Sequence, residues 1–476
     1  MAPLTTLPKT LLRESGLPSV FCTGRDAILI ILARSCRMFA YGASSLILAL
    51  FFAELGFSDS RIGLFMTLTL LGDVVLSLLL TLVADRVGRR RTLLAGSMLM
   101  IVSGTVFATC EGYWALLAAA VVGVISATGG DFGPFRAIEQ SMLSELTTPG
   151  TRSDVLVWYV TLASLGLAAG TEMSGRIVEG LKGREGWTLL DAYHACFWLY
   201  VVMGMVNMGC AGMLSQRCEL KPKLGEVDEE REPLLNGERE NGSVPQSGKD
   251  KKARTSWVAQ ISRETLSIMA VLWFLLMVDS LADGMANMPL TTYYMDWKFH
   301  LPKSVLGDIV SISDFAASLL TIFAGPLARY IGLVNTMVFT HIPSSAAVLF
   351  FPMAQTVPLT FALLLVRLGL NNMDQAPRAA LIAAVVRPEE RTAVMGITSM
   401  LRTLASTTGP SITGVLADND HFWVAFVVAG ALRLAYDLGL FAMFINIKLH
   451  KHETTAEPTE AAEGGTQRSG AQQSEA

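Results

Sequence analysis

Residues 81–94 read TLVADRVGRRRTLL and residues 325–338 read GPLARYIGLVNTMV, so one helix-loop-helix junction is written twice, 325 against 81, an offset of 244 residues. The first copy sets Asp85, Gly88 and the basic residues Arg86, Arg89, Arg90 and Arg91 in a fixed register. The second keeps Ala328 and Gly332, places Arg329 where the acid stood and loses most of the charge. Both follow a long apolar run. At the same offset Gly63 matches Gly307, and at a slightly shorter one Arg152, Gly170 and Gly175 fall against Arg391, Gly409 and Gly414. Ordered matches across half the chain imply duplication of a bundle.

Composition says what kind of bundle. A chain of 476 residues with 51% hydrophobic and 16% charged residues and a mean hydropathy of +0.45 is too apolar for water. Runs near the ~20 residues that cross a ~30 Å hydrocarbon core recur along it. They fall at 28–52, 62–84, 92–109, 114–135, 155–178, 193–214, 266–290, 305–328, 334–351, 359–386, 394–417 and 422–447. Backbone groups in hydrocarbon must bond within their own segment, so the expected fold is an all-α membrane protein of twelve transmembrane helices in two six-helix bundles.

With both termini in the cytoplasm, the outer side holds only Arg61, Lys182, Arg184, Lys298 and Lys303, and most of the 37 Lys and Arg lie inside. Met1 to Arg25 lacks the apolar stretch of a cleaved signal, so the first span is expected to direct its own insertion. The domains then read as a cytosolic N-terminal tail over 1–27, bundles over 28–214 and 265–447, a flexible cytosolic linker over 215–264 and a disordered tail over 448–476. The linker and tail are rich in Glu, Lys, Gly and Pro without hydrophobic period. The six cysteines read as small apolar residues rather than a disulfide framework.

The twelve spans, the six-plus-six repeat, the long central loop and the Asp85-Arg86-Val87-Gly88-Arg89-Arg90 junction together resemble the major facilitator superfamily of transporters, in a fungal-like form. The family's junction carries glycine four residues before the aspartate, where this chain has Thr81; the second copy has that glycine, Gly325. Gly409-Pro410 resembles the antiporter Gly-Pro motif but lies in helix eleven rather than helix five. The arginine that proton-linked drug exporters carry inside helix four is missing. The resemblance implies alternating access, with helices one and seven lining a central cavity.

Candidate residues follow from charge placed in hydrocarbon, which is costly and faces a cavity or a partner. Helix one carries Arg34, Arg37 and Tyr41 on one face, and helix seven carries Asp279, Asp283 and Asn287 on one face. Asp73 lies deep in helix two. Substrate or proton binding is therefore expected at Asp279, Asp283, Asn287, Arg37, Tyr41 and Asp73, against the alternative of structural ion pairs. Asp85, Arg86, Gly88, Arg89 and Arg90, with Arg329 and Gly332 in the second copy, are expected to latch a gate; lipid-facing topogenic charge is the alternative. Pro134 and Pro377 break helices four and ten near matching arginines and read either as hinges or as helix ends, with Gly409 and Pro410 as a further bend.

No HExxH, P-loop, GxSxG or Cys-x-x-Cys occurs, and the six histidines are scattered, so no enzyme, metal, cofactor or nucleic-acid partner is expected. With no nucleotide-binding domain, a gradient must supply the energy. The expected function is secondary transport of a small organic solute, cationic or amine-bearing, by proton-antiport efflux; a facilitative uniporter, a proton symporter and a non-transporting receptor or scaffold are the alternatives. Glu230 with Leu234 and Leu235 forms an acidic dileucine pattern that a sorting adaptor would read, so the address is the plasma membrane or a vacuolar or endosomal one.

Overall fold

The computed structural model describes residues 17–123, 134–148, 151–219, 263–321, 323, 327, 330–374, 377–378, 386 and 391–444. Arg329, Glu230, Leu234, Leu235 and the 448–476 tail lie outside the described residues, as do the side chains of Asp85 and Arg86. The described residues form fifteen α-helices and no strand. They are α1 (Leu17–Thr23), α2 (Arg25–Glu54), α3 (Asp59–Val87), α4 (Arg89–Thr109), α5 (Tyr113–Gly123), α6 (Pro134–Leu146), α7 (Arg152–Lys182), α8 (Leu189–Gly212), α9 (Arg263–Met285), α10 (Met288–Phe299), α11 (Lys303–Thr321), α12 (Leu333–Phe350), α13 (Val357–Asn371), α14 (Arg391–Asp418) and α15 (Phe422–Phe444).

Seven helices are individually long and apolar enough to cross a bilayer, and α9 with α10 makes an eighth, bent by 42°. Set against the twelve apolar runs, α5 lies in the fourth with α6 after it, α9 with α10 in the seventh, α13 in the tenth, and each remaining helix after α1 in a run of its own. The duplicated junction is visible in the backbone. Gly88 and Gly332, which cap α4 and α12, both take positive φ, 104° and 91°, a conformation that glycine adopts without strain.

Two expected spans and the expected tail and linker need correction. The seventh does not run on to residue 290. α9 stops at Met285 and α10 starts afresh behind Asn287, whose Oδ1 accepts from the Leu290 amide at 3.0 Å, with Pro289 in the first turn. The fourth does not end at Phe135, because α6 runs from Pro134 to Leu146 and buries Glu139. Pro134 thus opens a helix, where its missing N–H has no partner to lose. The tail and linker are also partly built. α1 buries Val20, and Ser19 Oγ bonds Asp154 at 2.7 Å. Ser215 bonds Asp26 through its amide at 2.9 Å and starts a 3-10 turn over Gln216–Cys218.

The core shows how the halves meet. At the end where α3 begins and α7 ends, apolar packing is continuous from one half to the other, with aromatic knots in each. Phe51 and Phe197 lie 5.1 Å apart in the first half, Tyr294 and Phe426 4.6 Å apart in the second. At the opposite end the core splits into two clusters, one per half. The continuous end is the one that the loop charges would set on the outer side, so on that orientation the halves pack together outward and hold separate cores at the other end.

Small residues make the closure possible. A Cβ on Gly63 would stand 2.3 Å from the Pro410 carbonyl oxygen and 2.9 Å from Gly414 Cα; one on Gly175 would stand 2.5 Å from the Lys303 oxygen and 3.1 Å from Gly307 Cα. Gly63 is the repeat mate of Gly307 and Gly175 of Gly414. The two crossings, α3 on α14 and α7 on α11, are therefore one contact made twice around a pseudo-two-fold axis. Polar bonds reinforce the same end: Tyr293 Oη to Asp59 at 2.6 Å, Thr292 Oγ1 to the Leu46 oxygen at 3.4 Å, Arg176 to Asp308 at 2.9 Å and Ser411 Oγ with Thr67 Oγ1 at 2.8 Å.

Candidate functional site

In the second half, α9 places Asp279 and Asp283 one turn apart, as their spacing requires, and neighbouring helices surround them with partners. Asp279 is fully buried; Arg378 reaches its Oδ2 at 3.4 Å and Arg402, on α14, at 4.0 Å. Arg378 is also paired with Asp374. Arg433 on α15 holds Asp283 at 2.8 Å and donates to Asn371 and to His341 Nε2, the latter also at 2.8 Å. His341 on α12 contacts Asp437 at 2.7 Å through Nδ1, and Ser345 Oγ donates to the other Asp437 oxygen at 2.8 Å. Such burial is tolerable only because each charge is partnered.

The same cluster repairs the break in the seventh span. Where α9 ends, backbone carbonyls lose their helical donors, which hydrocarbon does not forgive. Arg367 on α13 donates to the Ala286 oxygen and, at 2.9 Å, to Thr291 Oγ1; Thr413 Oγ1 donates to the Met285 oxygen at 2.7 Å. Asn287, expected on the solute-facing stripe, is instead the cap of α10, and its Nδ2 meets Met66 Sδ at 3.7 Å across the two halves.

In the first half the helix-one arginines point into their own bundle. Arg37 pairs with Glu139 on α6 at 2.6 Å and donates to Asn207 Oδ1 on α8 at 3.1 Å. Arg34 donates to Tyr159 Oη at 2.7 Å, and that hydroxyl donates to Glu139 at 2.8 Å. Tyr41 does face the neighbouring half. The carboxylates of Asp314 on α11 and, more weakly, Asp73 on α3 lie within electrostatic reach of its hydroxyl, one acid from each half. Asp314 has no ion-pair partner among the described residues, and Asp283 keeps 36% of its side chain exposed.

Twelve crossings, a duplicated junction and halves that close on repeated glycines meet their match in a family model. The model described as Major Facilitator Superfamily matches residues 30–278 and again 272–471, once for each half. The chain belongs to the major facilitator superfamily. It is 32% identical over 439 residues to the Saccharomyces cerevisiae protein described as "Uncharacterized membrane protein YJR124C", covering 90% of this chain and 97% of that one. Among solved structures it resembles the nucleoside transporter NupG, at 13% identity and a TM-score of 0.63 over 88% of this chain and 99% of NupG. It also resembles the E. coli xylose transporter XylE in an inward open conformation, at 13% identity and a TM-score of 0.62 over 87% of this chain and 95% of XylE. At these identities the structures share the fold. The chain is a multi-pass integral membrane protein of a transporter family.

The superfamily junction in this chain is held from two sides. Arg89 bonds Glu145 at 2.8 Å and Ser141 Oγ at 2.9 Å on α6. The Glu219 carboxylate, at the start of the central linker, accepts from the backbone amides of Arg89 at 2.8 Å and Arg90 at 3.2 Å, so it caps α4 and meets its positive dipole end. Arg90 donates to the Gly212 oxygen at 3.3 Å. Gly409 lies against Met285 and Gly284, where a Cβ would stand 2.3 Å from the Met285 nitrogen, and Pro410 sits inside an unbroken α14. Pro377 is buried beside Arg378.

Sequence reasoning missed Glu139, Asp314, His341, Arg367, Arg433 and Asp437. A signal for two of them stood in plain view. Arg433 and Asp437 are four apart in the last span, the spacing at which charges on one helix face meet neighbours.

Proposed function

We propose that the protein exports a small cationic or amine-bearing organic solute by proton antiport, through alternating access about the glycine contacts of α3 with α14 and α7 with α11. The observation that carries this reading is the set of acids within the spans, Asp73 and Asp314 acting on Tyr41 from the two halves and the part-exposed Asp283 on α9. The guanidinium beside Asp283, Arg433, is shared with His341 and Asn371, and Arg402 is engaged with Ser280 at 3.0 Å and Asp279. An ammonium group meeting such acids exchanges water for carboxylate, the complement that hydrocarbon depth rewards. The closed outer end and parted inner end are the state that loads solute from the cytoplasm.

The test is uptake of organic amines into proteoliposomes with and without a pH gradient. Accumulation that needs the gradient supports antiport, and equal rates with and without it would make the protein a facilitative carrier. Asp283→Asn and Asp314→Asn remove charge at constant volume and are expected to abolish gradient-driven uptake of amines. If both transport at the unaltered rate, the solute site lies elsewhere. For the address, the dileucine at Leu234 and Leu235 supports an endosomal or vacuolar membrane, and a tagged L234A/L235A double variant is expected to move to the cell surface.

A further inference from the structure

Deepening the proton-antiport reading and resting on it, we propose that His341 is the residue that holds the transported proton, and that it signals through Arg433 and Asp279 to the broken seventh span. Hydrogen-bond polarity fixes the state of the imidazole. An arginine guanidinium has donors and no acceptor, so the His341 Nε2 that lies 2.8 Å from Arg433 receives a hydrogen bond and carries no proton. The carboxylate of Asp437 accepts, so the Nδ1 at 2.7 Å from it carries one. The imidazole is therefore neutral and locked in one tautomer.

The cluster balances in that state. From α9 come Asp279 and Asp283, from the turn after α13 Asp374, and from α15 Asp437. Against these four carboxylates stand Arg367 on α13, Arg378 after it, Arg402 on α14 and Arg433 on α15. Tyr436, edge-on to the imidazole at 5.5 Å, and Ser345, on the same helix as His341, are neutral. Four charges of each sign leave one variable, the second imidazole nitrogen.

A single addition changes the geometry. When the Nε2 lone pair takes a proton, the cluster goes from zero to one positive charge, no other covalent bond is made or broken, and the hydrogen bond from Arg433 is lost to repulsion between two cations. A new acceptor is already in place. Asp279 Oδ1 stands 3.6 Å from Nε2, is fully buried and has no hydrogen-bond partner among the described residues. Protonation pulls Asp279 toward His341 and frees Arg433, which also holds Asp283. Both acids ride on α9. That helix continues through the 42° break into α10, whose Thr292 and Tyr293 seal the outer face against Leu46 and Asp59. The proton therefore acts on the element that closes the outer gate.

The test uses full-length protein in lipid nanodiscs. With 15N-labelled histidine, the His341 signal is identified by its loss in His341→Gln and followed from about pH 8 to pH 5, the window in which an imidazole titrates. The expected result is the Nδ1–H tautomer at alkaline pH and a second N–H on acidification, with a lower midpoint in Asp437→Asn, which loses the anion that stabilises the cation. In a background with the six native cysteines replaced, Thr292→Cys is expected to react with a membrane-impermeant maleimide severalfold faster at acid pH, and to lose that response when His341→Gln is added. The Nε2–H tautomer, or a pH response that survives His341→Gln, overturns the proposal while leaving proton antiport standing on another residue. A gate with no pH response at all overturns both.

Discussion

The two halves share a frame and differ in their chemistry. Both close the outer face with the same glycines and both cap a helix with a positive-φ glycine at the duplicated junction. In the first half the arginines of α2 gather into one compact group on Glu139, Arg37 directly and Arg34 through Tyr159, next to a small pocket lined by Leu29, Ile30 and Asn207. The second half spreads four carboxylates and four arginines around a histidine and uses one arginine to mend a broken helix. After duplication, close backbone contact is what both copies must keep, because the rocking interface requires it of each. Titratable chemistry is needed in one place only.

The largest effect that this difference implies is on stability. Arg433 is 1% exposed and serves Asp283, His341 and Asn371 at once. Arg433→Ala leaves the half-buried carboxylate of Asp283 without its cation and takes hydrogen-bond donors from the buried His341 and from Asn371, losses that together cost on the order of 3 kcal/mol. Arg37→Ala in the first half strands Glu139, whose side chain is 2% exposed, but the Tyr159 hydroxyl still donates to that carboxylate, and the variant is expected to cost less. Thermal unfolding in one detergent ranks the two. Equal losses would mean that the halves are equally committed and that the contrast is one of appearance.

A middle-sized effect tests the likeness instead. Gly63→Ala and Gly175→Ala each drive a methyl into the backbone of the other half, at 2.3 Å from the Pro410 oxygen and 2.5 Å from the Lys303 oxygen. Overpacking of this kind costs about 1–3 kcal/mol and is relieved by parting the halves. Both variants are expected to widen the outer face by similar amounts, read as spin-label distances across it. A response from one alone would break the symmetry argument.

How much of this was legible follows from where each signal lies. Twelve spans and the duplication are written locally, in apolar runs and in glycines at a fixed offset, so they could be read in advance. So could Asp279 and Asp283, since a four-residue spacing puts both on one helix face. Their partners could not. His341 sits in an apolar run between Thr340 and Ile342 with nothing beside it to mark a role, and only the packing of α12 on α15 brings it to Asp437. The arginines of α2 show the converse failure, because spacing puts Arg34 and Arg37 on one face without saying whether that face meets the cavity or its own bundle. The break before α10 was legible in Asn287-Met288-Pro289, a cap followed by a first-turn proline, but the apolar run read straight through it.

The smallest effect lies at the duplicated junction, where the halves part again. A Cβ at Gly88 would lie 3.2 Å from the Glu219 carboxylate, whereas one at Gly332 would meet nothing within 4 Å among the described residues. The central linker is thus tied to the first half at its start, by an acid that caps α4 and neighbours a 3-10 turn whose Cys218 is buried. Removing a side-chain cap from a helix N-terminus costs about 1 kcal/mol. Glu219→Ala is expected to lower the unfolding temperature only slightly, yet to expose the linker just after Cys218 to protease several times faster, because that one carboxylate serves two amides. Glu219→Gln keeps an acceptor without the charge and is expected to fall between the two. If cleavage after Cys218 proceeds at the same rate in all three proteins, the linker is held by the turn itself and the asymmetry of the two junctions has no mechanical consequence.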